Sequence, residues 1–421
     1  MFTVQKICTL FTLTILSCRA LFGAYGDEQL DALKNALIFE TENQQFYLET
    51  GLQFDWTGYY TDNSDNNPPG FFFPHDGKRF DWSPRLTLTF DAWLGEKLYG
   101  FIKYRWDDGV HPGVSKYYGT SHDFRFDEVF VRYEVAGPAL QFQVGRFVPI
   151  MGNFLNRQSN WEAGLVSYPL LYEQVTSVSD QVVPTNAADF AARRNMTDFP
   201  TKTLWLPAYW AQLYTQGAAV FGKHNAWDYS FNFVNAAPSS RGAVWNEFKW
   251  SAPSYLASLG YQFNPAWRLG LTGTYGAYLQ ESAEAALPSG KDRNDYLQRN
   301  IGLDLSWQQG LWSVWAELVY TEFDVPNVND DARFWSYYVE GRYAFKPRWW
   351  LSARWNQQIY EKIDTASGPE DWDNDIYRID LGLGHHPSRH SQIRLQYSYQ
   401  QQDADFQNGE HFAVLEFSLK L

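Results

Sequence analysis

Asn300-Ile301-Gly302-Leu303-Asp304-Leu305-Ser306-Trp307 puts a large apolar residue at every odd position and a small or polar one at every even position. Successive side chains of an extended chain point to opposite sides, so this stretch has one face for an apolar medium and one for water. Trp267, Leu269, Leu271 and Tyr275 repeat the rhythm, and so do Ile393, Leu395, Tyr397 and Tyr399. Charge is almost absent from these rows. A charged side chain facing lipid at mid-bilayer costs about 2 to 4 kcal/mol, so the exclusion has the character of a physical filter.

Outward from there, the same alternation defines segments near 46–60, 85–94, 97–106, 124–135, 139–147, 209–221, 227–235, 255–263, 267–279, 300–307, 311–321, 334–345, 349–360, 376–384, 392–401 and 411–421. Short turns such as Gly95-Glu96, Ala136-Gly137-Pro138, Lys223 to Asn225 and Asn264-Pro265 alternate with long connections. About sixteen antiparallel strands with that asymmetry predict an all-β, closed transmembrane barrel, its short turns on the periplasmic side. A soluble β-sandwich also buries apolar rows, but a two-sheet core seldom sustains so many long strands. The last segment, His411 to Leu421, alternates to its final residue, as a strand that closes the barrel against the first does.

Composition agrees. Aromatic residues make up 18% of the 421, while the mean hydropathy is −0.44, too polar for helical spans. Trp227, Phe263, Trp267, Phe345, Trp349 and Trp350 sit beside short turns, where an interfacial belt belongs. Residues 1–26 read as an export signal, with Lys6, an apolar run Ile7 to Leu16 and small exits at Ala20 or Gly26. Ile15-Leu16-Ser17-Cys18 also loosely matches a lipoprotein box. Cys8 and Cys18 both fall in this leader, so no disulfide framework is expected in the mature chain. Residues 27–44 form a helix-like extension or plug, and 45–421 the barrel. The net charge of −14 excludes nucleic acid as a partner and leaves outer-membrane lipid and small hydrophilic solutes.

By parity the water-facing rows carry Arg85, Lys103, Arg105, Arg132, Arg268, Arg342, Arg354, Arg378 and Arg394 against Glu49, Asp55, Asp91, Glu128, Glu134, Asp228, Asp304, Glu317, Glu340, Asp380 and Glu416. These nearly cancel, as a water-filled lumen with little preference for either sign requires, or as ion pairs bracing the wall require. The connection from Val148 to Ala208 is by far the longest and is rich in aromatics that need burial. It is expected to fold inward and narrow the lumen, with Arg157, Arg193, Arg194 and Lys202 adding positive field there. The acidic loops holding Asp324, Asp330, Asp331 and Glu361 to Asp375 read as solvated charge, or as a bridge to divalent ions.

Phe126-Asp127-Glu128-Val129-Phe130-Val131-Arg132-Tyr133 and then Leu140 to Phe154, with Gly145-Arg146-Phe147-Val148-Pro149-Ile150-Met151-Gly152, resemble the strand, turn, strand and "GRF-P-G" exit of porins of the phosphate-selective type. The resemblance covers roughly 30 residues strongly. It implies a sixteen-stranded trimeric barrel with an inward third loop. The balanced lining departs from that family's basic one, and Leu421 stands where an aromatic residue commonly ends such chains.

Enzyme signatures are thin: there is no Gly-x-Ser-x-Gly, phosphate-binding loop or His-Glu-x-x-His, and no cofactor or metal is expected. His385, His386 and His390 cluster at a turn as the one metal-like grouping. The expected function is passive diffusion of small hydrophilic solutes or ions through an outer-membrane pore. A barrel enzyme or surface-binding protein working through its long loops is the alternative.

Overall fold

The computed structural model describes residues 27–62, 79–107, 124–157, 159, 161–195, 205–210, 214–240, 252–403 and 409–421. The leader, the lipoprotein-like box and Lys202 lie outside them. Helix α1 (Asp27–Ala36) and the short strand β1 (Ile38–Glu40) come first. The wall then runs through β2 (Phe46–Thr61), β3 (Phe80–Leu94), β4 (Leu98–Asp107), β5 (Phe124–Glu134) and β6 (Gln141–Phe147). After the longest connection come β7 (Thr215–His224), β8 (Trp227–Val234), β9 (Ser254–Asn264), β10 (Trp267–Ala277), β11 (Leu297–Gln309) and β12 (Trp312–Phe323). The remainder are β13 (Ala332–Lys346), β14 (Trp349–Tyr360), a separate loop hairpin β15 (Lys362–Thr365) and β16 (Gly368–Asp371), then β17 (Ile376–Ser388), β18 (Ser391–Gln402) and β19 (Glu410–Lys420).

Sixteen of these strands form a closed antiparallel barrel. The seam is β19 against β2, with Phe417 opposite Trp56 and Leu415 opposite Gly58. Closure leaves no free edge, the condition under which a sheet lies in hydrocarbon with every backbone group paired. The two-residue rhythm sorts the wall as its chemistry demands. Ile301 and Leu303 are 57% and 48% exposed, whereas Asn300, Asp304 and Ser336 on the opposite parity are buried. Trp267, Leu269, Leu271 and Tyr275 share the exposed face. Ile393 is instead buried with Leu415 and Phe417 in a small cluster of its own.

Two departures from the sequence reading have physical causes. The strand expected from residue 209 begins at Thr215, because the Tyr209 and Trp210 amides are taken by the Leu171 and Pro238 carbonyls and both rings are buried. The long connection is lengthened accordingly. In β5 the pairing slips between Lys103 and Tyr104, so Asp127 has no partner residue across the strand pair. This bulge turns Asp127 and Glu128 to the same side, both within reach of basic groups on β4.

The lipid-facing assignment makes a direct prediction. Leu303 lies mid-strand between Leu271 and Leu318. Leu303→Arg should cost about 2 to 4 kcal/mol of folding stability in a bilayer. Urea titration of folding into lipid vesicles measures it, and a neutral result would contradict the outward placement of this row.

Candidate functional site

The inward-facing side chains fall into two groups, divided by the segment 148–214. On β2 to β6 they border a cavity of ≈ 660 Å³. Its lining carries Lys34, Arg85, Lys103, Arg105, Arg132 and Lys420 together with Glu49, Asp55, Asp91, Glu128 and Glu162. Trp93, Phe101, Phe130, Tyr168 and Tyr214 add aromatic faces. Charges of both signs stand close together: Lys103 is 3.5 Å from Glu128, and Arg105 is 3.1 Å from Asp127. Arg132 donates through Nε and Nη2 to the Gln143 side-chain oxygen and lies against the rings of Tyr99, Phe130 and Phe221. Glu49 and Asp91 face each other in register, a like-charge pair moderated by Lys34 and by the Tyr99 hydroxyl.

On β11 to β18 several inward side chains are bonded to described residues of segment 148–214. Its described residues have little regular secondary structure, so their amides and carbonyls need partners wherever water is excluded. The wall supplies them. Glu317 accepts from the amides of Asn153 (2.5 Å) and Phe154 (2.8 Å) and from the Tyr172 hydroxyl (2.6 Å). Gln396 accepts from the amides of Val166 and Ser167. Arg354 donates to the carbonyls of Ser167 (2.8 Å) and Tyr168 (3.0 Å), and Arg394 to those of Ala163 (2.9 Å) and Leu165 (2.6 Å). Arg378 donates to the Tyr168 carbonyl and pairs with Glu173, a carboxylate of the segment itself.

Most of the charges in this second group are closed into ion pairs. Glu340 holds Arg157 on one oxygen (2.7 Å) and Arg354 on the other (3.1 Å). Asp380 holds Arg354 and Arg378 at 2.9 and 3.0 Å, Glu416 holds Arg394, and Arg268 bridges Asp228 and Asp304. The glycines of the Gly145 to Gly152 stretch have distinct tasks. A side chain at Gly145 would collide with the Val129 carbonyl of β5, and Gly152, at φ +59°, turns the chain so that the next two amides reach Glu317.

The side chains that sequence parity assigns to the lumen divide into those that border the cavity and those that do not. Of the residues it singled out, Arg85, Lys103, Arg105, Arg132, Glu49 and Asp91 line the cavity. Arg268, Arg342, Arg354, Arg378, Arg394, Glu317 and Glu340 do not. Of the arginines on the long connection, Arg157 lies on the Trp315 ring against Glu340. Arg193 and Arg194 donate to the carbonyls of Val182 and Asp371, away from the cavity lining. Asp127 was missed, because a strict alternation assigns it to the outer face. Helix α1 was not assigned a place: Lys34 borders the cavity, and Asp31 pairs with Arg389 and His390 at the β17–β18 turn.

The histidine cluster is ordinary turn structure. His385 stacks on Trp349 and points Nδ1 at the Arg348 carbonyl, while His386 lies beside Trp161 and Trp350. Among the described residues the grouping able to hold a cation is Glu322, Asp324 and Asp331. Those acids already engage Arg299 and Arg333 at 2.6 to 3.1 Å. Burial, and then a hydrogen bond shared with Asp324, push the Asp331 carboxyl above its ordinary range.

No protein-family model and no curated protein sequence matches the chain. Solved structures do. OmpF of Salmonella typhi superimposes with a TM-score of 0.58 at 9% identity over 91% of this chain and 100% of its own. The anion-selective porin of Comamonas acidovorans gives 0.54 at 12% identity, covering 89% and 100%. The outer-membrane channel DcaP of Acinetobacter baumannii gives 0.55 at 10%, covering 91% and 99%. The chain has the fold of these porins, a closed sixteen-stranded antiparallel β-barrel. At such identities the likeness carries the fold, and the barrel's chemistry has to be read from its own side chains.

In this porin-like barrel the buried ion pairs between wall and segment set up a clear test. Arg378→Met leaves Glu173 buried without its cation, a loss of about 3 to 5 kcal/mol. Hydrogen exchange should show protection falling around residues 163–173 while β9 and β10 stay protected. Equal protection throughout would mean that the pair does not anchor the segment.

Proposed function

We propose that this barrel is an outer-membrane porin giving passive diffusion of small hydrophilic solutes or ions. The observation that carries the reading is the ≈ 660 Å³ cavity inside a closed wall, lined by charges of both signs and bordered on one side by segment 148–214. Charged side chains that are not all closed into buried pairs call for water beside them, which the cavity gives room for. In this reading the segment, by filling the β11–β18 side, confines solutes to the β2–β6 side, and size together with closely spaced opposite charges selects among them.

Residues 1–26 serve as the export signal, and the chain works as a homotrimer without cofactor or enzymatic activity. The Gly145 to Gly152 stretch supports kinship with porins of the phosphate-selective type. One structural neighbour, OmpT of Vibrio cholerae, is described in a trimer form. The near balance of charge in the lining argues against a channel closed to either sign.

Planar-bilayer recording tests the proposal. Purified protein should give ohmic conductance steps, with a reversal potential in a potassium chloride gradient well below the Nernst value for either ion. A sealed barrel would refute the porin reading. Within an open one, a near-Nernstian anion potential would show that the acids of the lining do not face the path.

A further inference from the structure

Glu317 on β12 and Asp304 on β11 stand directly opposite each other, both facing inward and both buried. Two carboxylates so placed need positive charge nearby. Arg268 supplies it to Asp304, reaching one of its oxygens at 2.5 Å and leaving the other without a partner among the described residues. Glu317 has neutral partners, the Asn153 and Phe154 amides and the Tyr172 hydroxyl. All of them are donors, and no hydrogen bond joins the two acids. That pattern suits a carboxylate with a cation beside it rather than a carboxylic acid in need of an acceptor.

Beside the two acids lies a second, much smaller cavity of ≈ 10 Å³, bordered by both of them and by Tyr209, Thr272, Gly302 and the Gly152 turn. That is room for about one water-sized sphere. The hydroxyls of Tyr209 and Thr272 are buried here without a hydrogen-bond partner among the described residues. Neither residue is free to turn elsewhere. Tyr209 is fixed by its amide on the Leu171 carbonyl and by its ring 5.6 Å from that of Tyr172, while Thr272 sits mid-strand on β10. Gly302, opposite Thr272 in register, has no side chain to fill the space between them.

We infer that this small cavity binds one alkali-metal ion, sodium or potassium, between Glu317, Asp304, Tyr209 and Thr272. A donor set made only of oxygens selects a hard cation. Calcium takes about six to eight oxygens and magnesium keeps several waters, and a space of one sphere beside these side chains holds neither shell. With Asp304 matched by Arg268, the buried charge left over is that of one carboxylate, which a single positive charge balances. The ion joins the start of segment 148–214 to β10, β11 and β12, since Glu317 also holds the two amides that follow Gly152. The site is structural, and it stands whether or not the barrel conducts.

Hydrogen exchange on the full-length protein folded in detergent micelles reads the site, with choline chloride replaced stepwise by sodium or potassium chloride at fixed pH and ionic strength. Protection of the Asn153 and Phe154 amides should rise and saturate with at least one of the two metal ions, while choline, too large for the cavity, leaves it low. Tyr209→Phe and Thr272→Val each remove a hydroxyl that holds no other group, so the fold is kept. Each should raise the half-saturating concentration about tenfold. Equal protection in choline, sodium and potassium means that the cavity takes water alone, and overturns the site. So do variants that keep the wild-type midpoint, and so does a rise shared by the β2 to β5 amides, which is a general effect of salt. Saturation by calcium at a lower concentration than either alkali ion overturns the assignment of a single charge.

Discussion

An irregular stretch of chain can pack tightly against the inside of a β-barrel, with water excluded, only if the wall takes its backbone hydrogen bonds. Here the wall does so with side chains. Glu317, Gln396, Arg354, Arg378 and Arg394 each reach amides or carbonyls of residues 153–168, and Asn356 and Gln358 do the same at Leu170. Each polar contact is modest by itself, but a buried carbonyl left without one would cost about 1 to 3 kcal/mol. The repetition explains why this part of the wall is so rich in long polar side chains. It also explains why its charges come as closed sets, since an arginine bonded to a carbonyl keeps its full charge and still needs an anion nearby.

The consequence is a lumen with two unlike sides. From β11 to β18 the side chains are structural, locked into a network whose members are nearly all spoken for. From β2 to β6 they border open volume, and there the close spacing of Lys103, Glu128, Arg105 and Asp127 comes from a single slipped residue in β5. A regular strand would have turned one of the two acids outward and left the basic pair on β4 with half its compensation.

Much of this was legible from residue order. Alternation like that at Asn300 to Trp307 sets the faces wherever a strand is regular, because side-chain direction in an extended chain follows parity. Parity is silent on distance. Arg105 and Arg354 read alike along the chain, yet one borders the cavity and the other bonds a segment 187 residues away. Asp127 was hidden for a related reason: a bulge breaks the very rule used to assign faces, and its trace in the sequence is the adjacent acidic pair Asp127-Glu128 between apolar residues. Tyr209 and Trp210 misled in the opposite sense, since aromatic content suited a strand while their backbone groups were committed elsewhere.

The link between α1 and the far end of the chain bears on assembly. Asp31 meets His390 across a sequence separation of 359, and β1 adds three residues to the base of β2 beside the seam. A contact spanning so much chain forms only after nearly everything between has been ordered, because the entropy of so large a ring is met last. The helix therefore behaves as a latch thrown at completion: it finds its acceptor once the final hairpin has arrived, and until then the leading strand keeps a bare edge.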